Sequence, residues 1–103
     1  MGSKTQSDVA VKTRTRVEVS PPREHKVIYI NDEVTPMDFV IQSLMEIFEH
    51  DYSTAEILTH RVHEEGSAVV AVLPFEIAEH KGIEVTVSAR TNGFPLQVKI
   101  EPE

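Results

Sequence analysis

The chain has 103 residues, of which 26% are charged and 40% hydrophobic, and it contains no cysteine. This composition is typical of one globular domain and excludes both a disulfide scaffold and a thiolate metal site. The longest apolar run, residues 68 to 73, is far too short to cross a bilayer. Because the chain has no cysteine, we expect a reducing compartment. The first residues lack the pattern of a secretory signal.

Charge divides the chain into two parts. Residues 1 to 25 carry five Lys and Arg against three Asp and Glu, a net charge of +2, together with the Pro21-Pro22 pair. We interpret this segment as a flexible N-terminal arm. Residues 26 to 103 carry five basic and fourteen acidic residues, a net charge of −9. A domain this acidic is expected to repel nucleic acid and anionic membranes.

The acidic domain is predicted to begin with a strand and a helix. Residues 26 to 30 are mostly β-branched or aromatic, which indicates a buried strand. Apolar residues recur at steps of three and four over residues 36 to 49, which predicts a helix. Thr35 suits the N-cap of this helix, and Pro36 suits its first position.

The turn between this strand and this helix carries more polar groups than capping requires. Asn31, Asp32 and Glu33 place three carbonyl-bearing side chains in one short connection. Such a cluster of acceptors suits a cation, an ammonium group or only water. The residues of the turn do not by themselves choose among these three.

A second helix and a second strand follow. Ser53 and Glu56 form a capping-box pattern that predicts the start of the helix, and Gly66 suits the left-handed residue after its end. Residues 67 to 73 are almost all apolar, so we predict a strand in the centre of the sheet.

The segment after residue 73 carries conflicting signals. Residues 75 to 81 suit a helix, whereas residues 83 to 89 alternate between apolar and polar as a strand does. We predict one long helix that continues to about residue 90, because a single interior glycine, Gly82, costs only about 1 kcal/mol.

The chain is predicted to close with a turn at Asn92-Gly93 and an alternating strand over residues 95 to 100. The complete prediction is an α+β domain of element order β-α-α-β-α-β. Its three-stranded antiparallel sheet is expected to carry three helices packed on one face.

Four stretches of the chain resemble the ClpS adaptor family in their order and spacing: residues 26 to 40, 62 to 66 and 76 to 81, and Pro95-Leu96. The resemblance implies that residues 26 to 103 form an adaptor domain that binds N-degrons, proteins whose first residue is Leu, Phe, Tyr or Trp. It also implies delivery of these proteins to the N-domain of an AAA+ unfoldase, ClpA or a ClpC-type relative, for degradation by ClpP.

The same resemblance sets the expected biochemistry of the chain. It implies a monomer of the bacterial cytoplasm that is not an enzyme and has neither a catalytic residue nor a cofactor nor a bound metal. We expect no nucleic-acid partner and no membrane partner, in agreement with the acidic charge.

The resemblance assigns the α-amino group of the substrate to Asn31, Asp32, Glu33 and His63. The amide oxygen of Asn31 and a neutral His63 can each accept a hydrogen bond from an ammonium group. Glu33 stands where the family usually has Asp, and it keeps the charge. A blocked or internal residue would leave these acceptors unpaired.

A hydrophobic pocket and a docking surface are also implied by the resemblance. The pocket residues are Ile30, Val34, Thr35, Pro36, Met37, Val40, Thr59, Val62 and Leu96. Thr59 stands where the family often has Met, so we expect a roomier pocket on that side. Glu76 and Lys81 match the surface that docks on the unfoldase.

Two other functions compete with the adaptor interpretation. His60 and His63 with Glu56 or Glu64 offer metal ligands, but their spacing is not the His-Glu-x-x-His of zinc hydrolases. The expected fold also resembles a domain of the ribosomal stalk protein, which allows a structural interaction domain without N-degron binding. That domain has no need of the polar cluster at residues 31 to 33.

Overall fold

The computed structural model describes residues 21 to 103. Its elements in chain order are strand β1 (Glu24–Ile30), helix α1 (Met37–Glu46), helix α2 (Tyr52–Glu65), strand β2 (Ser67–Pro74), helix α3 (Phe75–Thr91) and strand β3 (Gln97–Pro102). The predicted α+β order is therefore confirmed. β1 begins inside the segment interpreted as an arm, and the rest of that arm, residues 1 to 20, lies outside the described residues.

The sheet places β1 in the centre, with β2 and β3 antiparallel on either side. The prediction of a central position for residues 67 to 73 is wrong, because β2 is an edge strand. Its burial alternates from Ser67 to Val70, and Val69 is 40% exposed. Val72, three residues further, is 38% exposed because the register between β1 and β2 shifts between Val27 and Ile28. The helices cover only one face of the sheet, so every second side chain of a strand lies on the open face whatever its hydrophobicity.

The core lies between the sheet and the helices, and β1 contributes Val27 and Tyr29, both fully buried. The Tyr29 hydroxyl lies 2.8 Å from Oγ of Ser43, which itself donates to the carbonyl of Val40. Since Ser43 has a single hydroxyl proton, Tyr29 is the donor of their shared bond. Burial raises the pKa of Tyr29 well above its ordinary value, and the bond to Ser43 offsets only part of this rise.

Helix α3 is continuous, as predicted, through the segment that alternates like a strand. Ala78, Gly82, Val85 and Ala89 are its buried residues and recur at steps of three and four. Ile83 and Val87 are 58% and 59% exposed, so the strand-like alternation arose from apolar side chains on the outer surface of the helix. None of the helices within residues 21–103 is long and apolar enough to span a membrane.

Helix α2 begins and ends by two different devices. The carboxylate of Asp51 is the N-cap and accepts a hydrogen bond from the backbone N–H of Thr54 at 2.8 Å. The predicted capping box is wrong, because Ser53 already lies inside the helix. The prediction for the other end is confirmed, since Gly66 has a φ of 90° and its N–H bonds to the carbonyl of Val62.

Candidate functional site

The turn between β1 and α1 is organised by the carboxylate of Asp32. Its Oδ1 accepts hydrogen bonds from the backbone N–H groups of Val34 and Thr35, at 2.8 and 2.7 Å. Its Oδ2 accepts a third bond from the Thr35 hydroxyl at 2.8 Å. Asp32 thus holds the turn in one shape before any ligand arrives.

This arrangement corrects the predicted start of helix α1. Thr35 is not the N-cap, because its hydroxyl is used by Asp32. Pro36 occupies the N-cap position with an extended backbone, and its carbonyl accepts bonds from the N–H groups of Phe39 and Val40. Asp38 lies in the first turn, where an acidic side chain is favourable.

Asp32 is held in its charged form by its surroundings. Partial burial raises the pKa of this carboxyl, but the hydrogen bonds from Thr35 and Val34 and the charge of Arg90 outweigh that effect and set the pKa below its ordinary value. The turn therefore carries a fixed negative charge at neutral pH.

Arg90 is a contributor that the sequence analysis missed. It lies in the last turn of α3, and its guanidinium group donates to the carbonyls of Phe94 and Leu96 at 3.0 and 2.9 Å. These bonds fix the connection that carries Leu96. A basic residue in the last turn of a predicted helix was the available signal, since such residues bond to nearby carbonyls.

The fold brings the end of α2 to the same place as the turn. Ile30, the last residue of β1, pairs with Ser67, and the backbone N–H of Asn31 donates to the carbonyl of Gly66 at 2.9 Å. His63 lies three residues before Gly66, in the last turn of α2. Two segments more than thirty residues apart in the chain therefore meet at one end of the sheet.

The polar side chains at this end differ in their availability. Asn31 is half-buried, whereas Glu33 and His63 are exposed. Within residues 21–103, none of these three side chains takes part in a hydrogen bond, in contrast to Asp32. Asn31 and His63 therefore have acceptor atoms free for a ligand, and Asp32 and Glu33 contribute negative charge.

The residues predicted to form the pocket separate into a buried group and a rim. Val40, Thr59, Val62 and Leu96 are between 1% and 6% exposed and belong to the core or its edge. Val34 is 61% exposed. Pro36 is also exposed, and Ile30, Thr35 and Met37 are half-buried. The buried group thus belongs to the core, and the more exposed residues lie at the end of β1, in the turn and at the start of α1.

The two residues predicted to dock on an unfoldase have different environments. Glu76 is exposed in the first turn of α3 and lies beside a surface cavity of about 460 Å³ that Phe75 and Ile77 also line. Lys81 is half-buried, and its ammonium group donates to the carbonyl of Ile47 at 2.7 Å. Lys81 therefore has a structural contact at the C-terminal end of α1.

The residues of the alternative metal site are not gathered into a cluster. Within the part of the chain that the structure describes, no group of three or more His, Asp or Glu side chains is placed to hold a metal ion. His60, Glu56 and Glu64 instead line a shallow surface depression along α2.

Comparison with known proteins relates this arrangement to one family. The family described as "ATP-dependent Clp protease adaptor protein ClpS" matches residues 20–99. A protein of Treponema denticola named ATP-dependent Clp protease adapter protein ClpS is 42% identical over 80 residues, which cover 78% of this chain and 79% of that protein. The protein of the same name from Sodalis glossinidius is 45% identical over 83 residues, covering 81% of this chain and 78% of that protein.

A solved structure gives the same result for the fold. Agrobacterium tumefaciens ClpS2, bound to L-phenylalaninamide, superposes with a TM-score of 0.78 and is 38% identical, covering 81% of this chain and all of that chain. The match to the family, over residues 20–99, includes the β1–α1 turn, α2 and α3. The chain therefore belongs to the ClpS family of Clp protease adaptor proteins.

Proposed function

We propose that the protein binds proteins that begin with a free Leu, Phe, Tyr or Trp and delivers them to an AAA+ unfoldase for degradation by ClpP. The observation that carries the proposal is the end of the sheet where the Asp32 turn meets the end of α2. Free acceptors and fixed negative charge lie there, and Val62, which precedes His63 in α2, is one of the buried apolar side chains. An N-terminal residue with an ammonium group and a large apolar side chain matches both features.

The two halves of this site are each too weak to act alone. A hydrogen bond to a charged group contributes about 1.5–3 kcal/mol, and burial of a Leu or Phe side chain contributes about the same. Association itself costs several kcal/mol of translational and rotational freedom. Selectivity for the first residue of a chain follows, because only there do an ammonium group and a side chain share one Cα.

The ligand of the Agrobacterium tumefaciens relative supports this proposal. L-Phenylalaninamide, the molecule bound to that ClpS2 protein, consists of a free α-amino group, a Phe side chain and an amide that mimics the following peptide bond. At 38% identity, the likeness makes a ligand of the same chemistry the first to test here. In the proposed complex, Asn31 and His63 accept hydrogen bonds from the ammonium group, and Asp32 and Glu33 attract it.

Binding to peptides that differ only at the first residue tests the proposal directly. Labelled peptides that begin with unblocked Leu, Phe, Tyr or Trp are titrated by fluorescence anisotropy, and N-acetylated copies serve as matched controls. We expect binding of the free peptides and loss of binding on acetylation, because the acceptors then face no ammonium group. Equal binding of free and acetylated peptides would contradict the proposal.

The histidine supplies a second test of the same site. Asn31→Ala and His63→Ala should each weaken binding, and His60→Ala, one turn earlier on α2, is the control that should not. Both Asn31 and His63 are proposed to accept a hydrogen bond from the ammonium group, whereas His60 is not. An equal loss of binding in His60→Ala would show a general effect on α2 and not a contact with the ammonium group.

Delivery is the less directly supported half of the proposal. We assign it to the arm, residues 1 to 25, which is proposed to reach into the pore of the unfoldase, and to Glu76 as a docking contact. The arm should be deleted only to residue 20, since β1 begins at Glu24. This deletion should leave anisotropy unchanged and slow the degradation of a reporter by the unfoldase and ClpP. Degradation at the full rate would reduce the arm to a linker.

The docking surface can be tested separately from peptide capture. Glu76→Lys is the suitable variant, because Glu76 is exposed. Lys81→Glu is less suitable, because it would also break the hydrogen bond to the carbonyl of Ile47. A loss of docking could then not be separated from a loss of stability. We expect Glu76→Lys to weaken binding to the unfoldase N-domain while peptide binding is retained. The proposal describes a monomeric cytoplasmic adaptor that carries out no bond chemistry itself.

A further inference from the structure

Thr59 differs from the other buried hydroxyl groups of the domain. Its side chain is 2% exposed, and its Oγ1 has no hydrogen-bond partner within residues 21–103. Tyr29 and Ser43, by contrast, bond to each other, and Ser43 also bonds to the backbone. A buried hydroxyl without a partner destabilises the folded state, so its presence needs a reason.

Helix geometry does not supply this reason, as a comparison with Thr86 shows. Thr86 lies in α3, and its hydroxyl donates to the carbonyl of Gly82, four residues earlier, at 2.9 Å. This is the usual bond of a Thr inside a helix. Thr59 does not make the equivalent bond to Ala55. Thr59 is one of the buried residues of α2, the helix that packs against α1 and β2.

The position of Thr59 relates this hydroxyl to the proposed site. Val62 and His63 follow it by three and four residues, so the three side chains lie along one side of α2. Thr59 and Val62 are buried, whereas His63 is exposed at the end where Gly66 meets the Asn31 turn. Thr59 thus lies one helical turn, about 5.4 Å, from the residue proposed to contact the α-amino group.

We propose that Thr59 determines specificity within the proposed N-degron site, on whose existence this inference rests, and that its hydroxyl pairs with the phenol of an N-terminal Tyr. The ring of Tyr extends its hydroxyl away from the ammonium group over a distance on the order of one helical turn. The phenol donates a hydrogen bond to Oγ1, which has no partner in the free protein. Phe leaves the same oxygen unpaired, so the protein prefers Tyr to Phe.

The ratio of Tyr to Phe binding separates this effect from pocket size. A Thr in place of a larger residue leaves more room for both rings, which have the same shape apart from one hydroxyl. Because Val has nearly the shape of Thr, a change of this ratio between wild type and Thr59→Val reports the interaction with that hydroxyl and not the room in the pocket. The test therefore uses two unblocked peptides that are identical after the first residue, with dissociation constants measured by fluorescence anisotropy.

Wild-type protein should bind the Tyr peptide about fivefold or more tightly than the Phe peptide, which is the effect of one net hydrogen bond. Thr59→Val keeps the shape and removes the hydroxyl, so the ratio should fall to about one, mainly through loss of Tyr binding. Thr59→Ser keeps the hydroxyl and should retain the preference. Thr86→Val is the matched control outside the site and should leave the ratio unchanged.

Two results of these binding measurements would overturn the proposed pairing of Thr59 with Tyr. Equal binding of Tyr and Phe by the wild type overturns the inference, and this measurement needs no variant to fold. An unchanged ratio in Thr59→Val also overturns it. If neither free peptide binds, the proposed function fails as well, so the two failures are distinguishable. Thermal unfolding provides an independent readout: Thr59→Val should be more stable than the wild type, and Thr86→Val less stable.

Discussion

Two turns of this domain use the same chemistry for different purposes. Asp51 and Asp32 each accept a backbone N–H bond from a Thr three residues later, and the pKa of each carboxyl is lowered by hydrogen bonds to that Thr. Asp51 is exposed and simply begins α2. Asp32 lies well before α1, uses both of its oxygens and is partly buried. The same side chain therefore caps a helix in one place and builds a rigid charged loop in the other.

The largest expected difference between the two turns is in ligand binding. Asp32→Ala removes three hydrogen bonds and the negative charge from the site, so we expect peptide binding to weaken about tenfold or more. Asp51→Ala should change binding less than about twofold, although both variants should unfold at a lower temperature. Anisotropy and thermal unfolding of the same samples make the comparison. Similar losses of binding in both variants would show that the effect is general destabilisation.

A smaller effect is expected when the charge is kept and only the loop is loosened. Thr35→Val removes the bond from its hydroxyl to Asp32 but leaves the two backbone bonds to that carboxylate. We expect a loss of binding of about two- to fivefold and a loss of stability of about 1 kcal/mol. Chemical denaturation with the peptide titration separates these effects. A loss as large as that of Asp32→Ala would mean that loop shape, not charge, governs binding.

The smallest expected effect is in acid stability. Because the pKa of Asp32 is lower in the folded state than its ordinary value of 3.8, its charge stabilises the fold above that pH. This contribution is lost as the pH falls through the folded-state pKa. The stability difference between wild type and Asp32→Asn should therefore be constant from about pH 7 to about pH 5 and disappear in stronger acid. Asp51→Asn should show a smaller difference, since Asn also serves as an N-cap.

The order of elements was predictable from local patterns, and so was the polar turn that carries part of the proposed site. The polar turn at residues 31 to 33, the end of α2 at Gly66 and the continuous helix α3 are all present in the structure. Gly66 was the clearest signal, because few other residues tolerate its backbone conformation. The sequence patterns that agree with the structure are those in which a position needs a conformation that few residue types can adopt.

The errors arose where two residues compete for one role or where only the tertiary structure decides. Thr35 has the side chain of an N-cap, but the carboxylate of Asp32 binds its hydroxyl first. Ser53 similarly gives way to Asp51. Strand β2 has the composition of a central strand, yet its position at the edge depends on strand order. The unpaired hydroxyl of Thr59 depends on which groups the tertiary structure places around it.

The backbone N–H of Asn31 donates a hydrogen bond to the carbonyl of Gly66, and its proton is therefore a reporter for the whole site. This bond links the β1–α1 turn with the end of α2. Both segments are proposed to contact the ammonium group of the ligand. Hydrogen exchange at this amide measures how often the two segments separate in solution. A ligand held by both should slow that exchange more than it slows exchange at Gly66, whose own N–H bonds within α2. The backbone thus contains a built-in probe, readable by NMR without any label on the ligand.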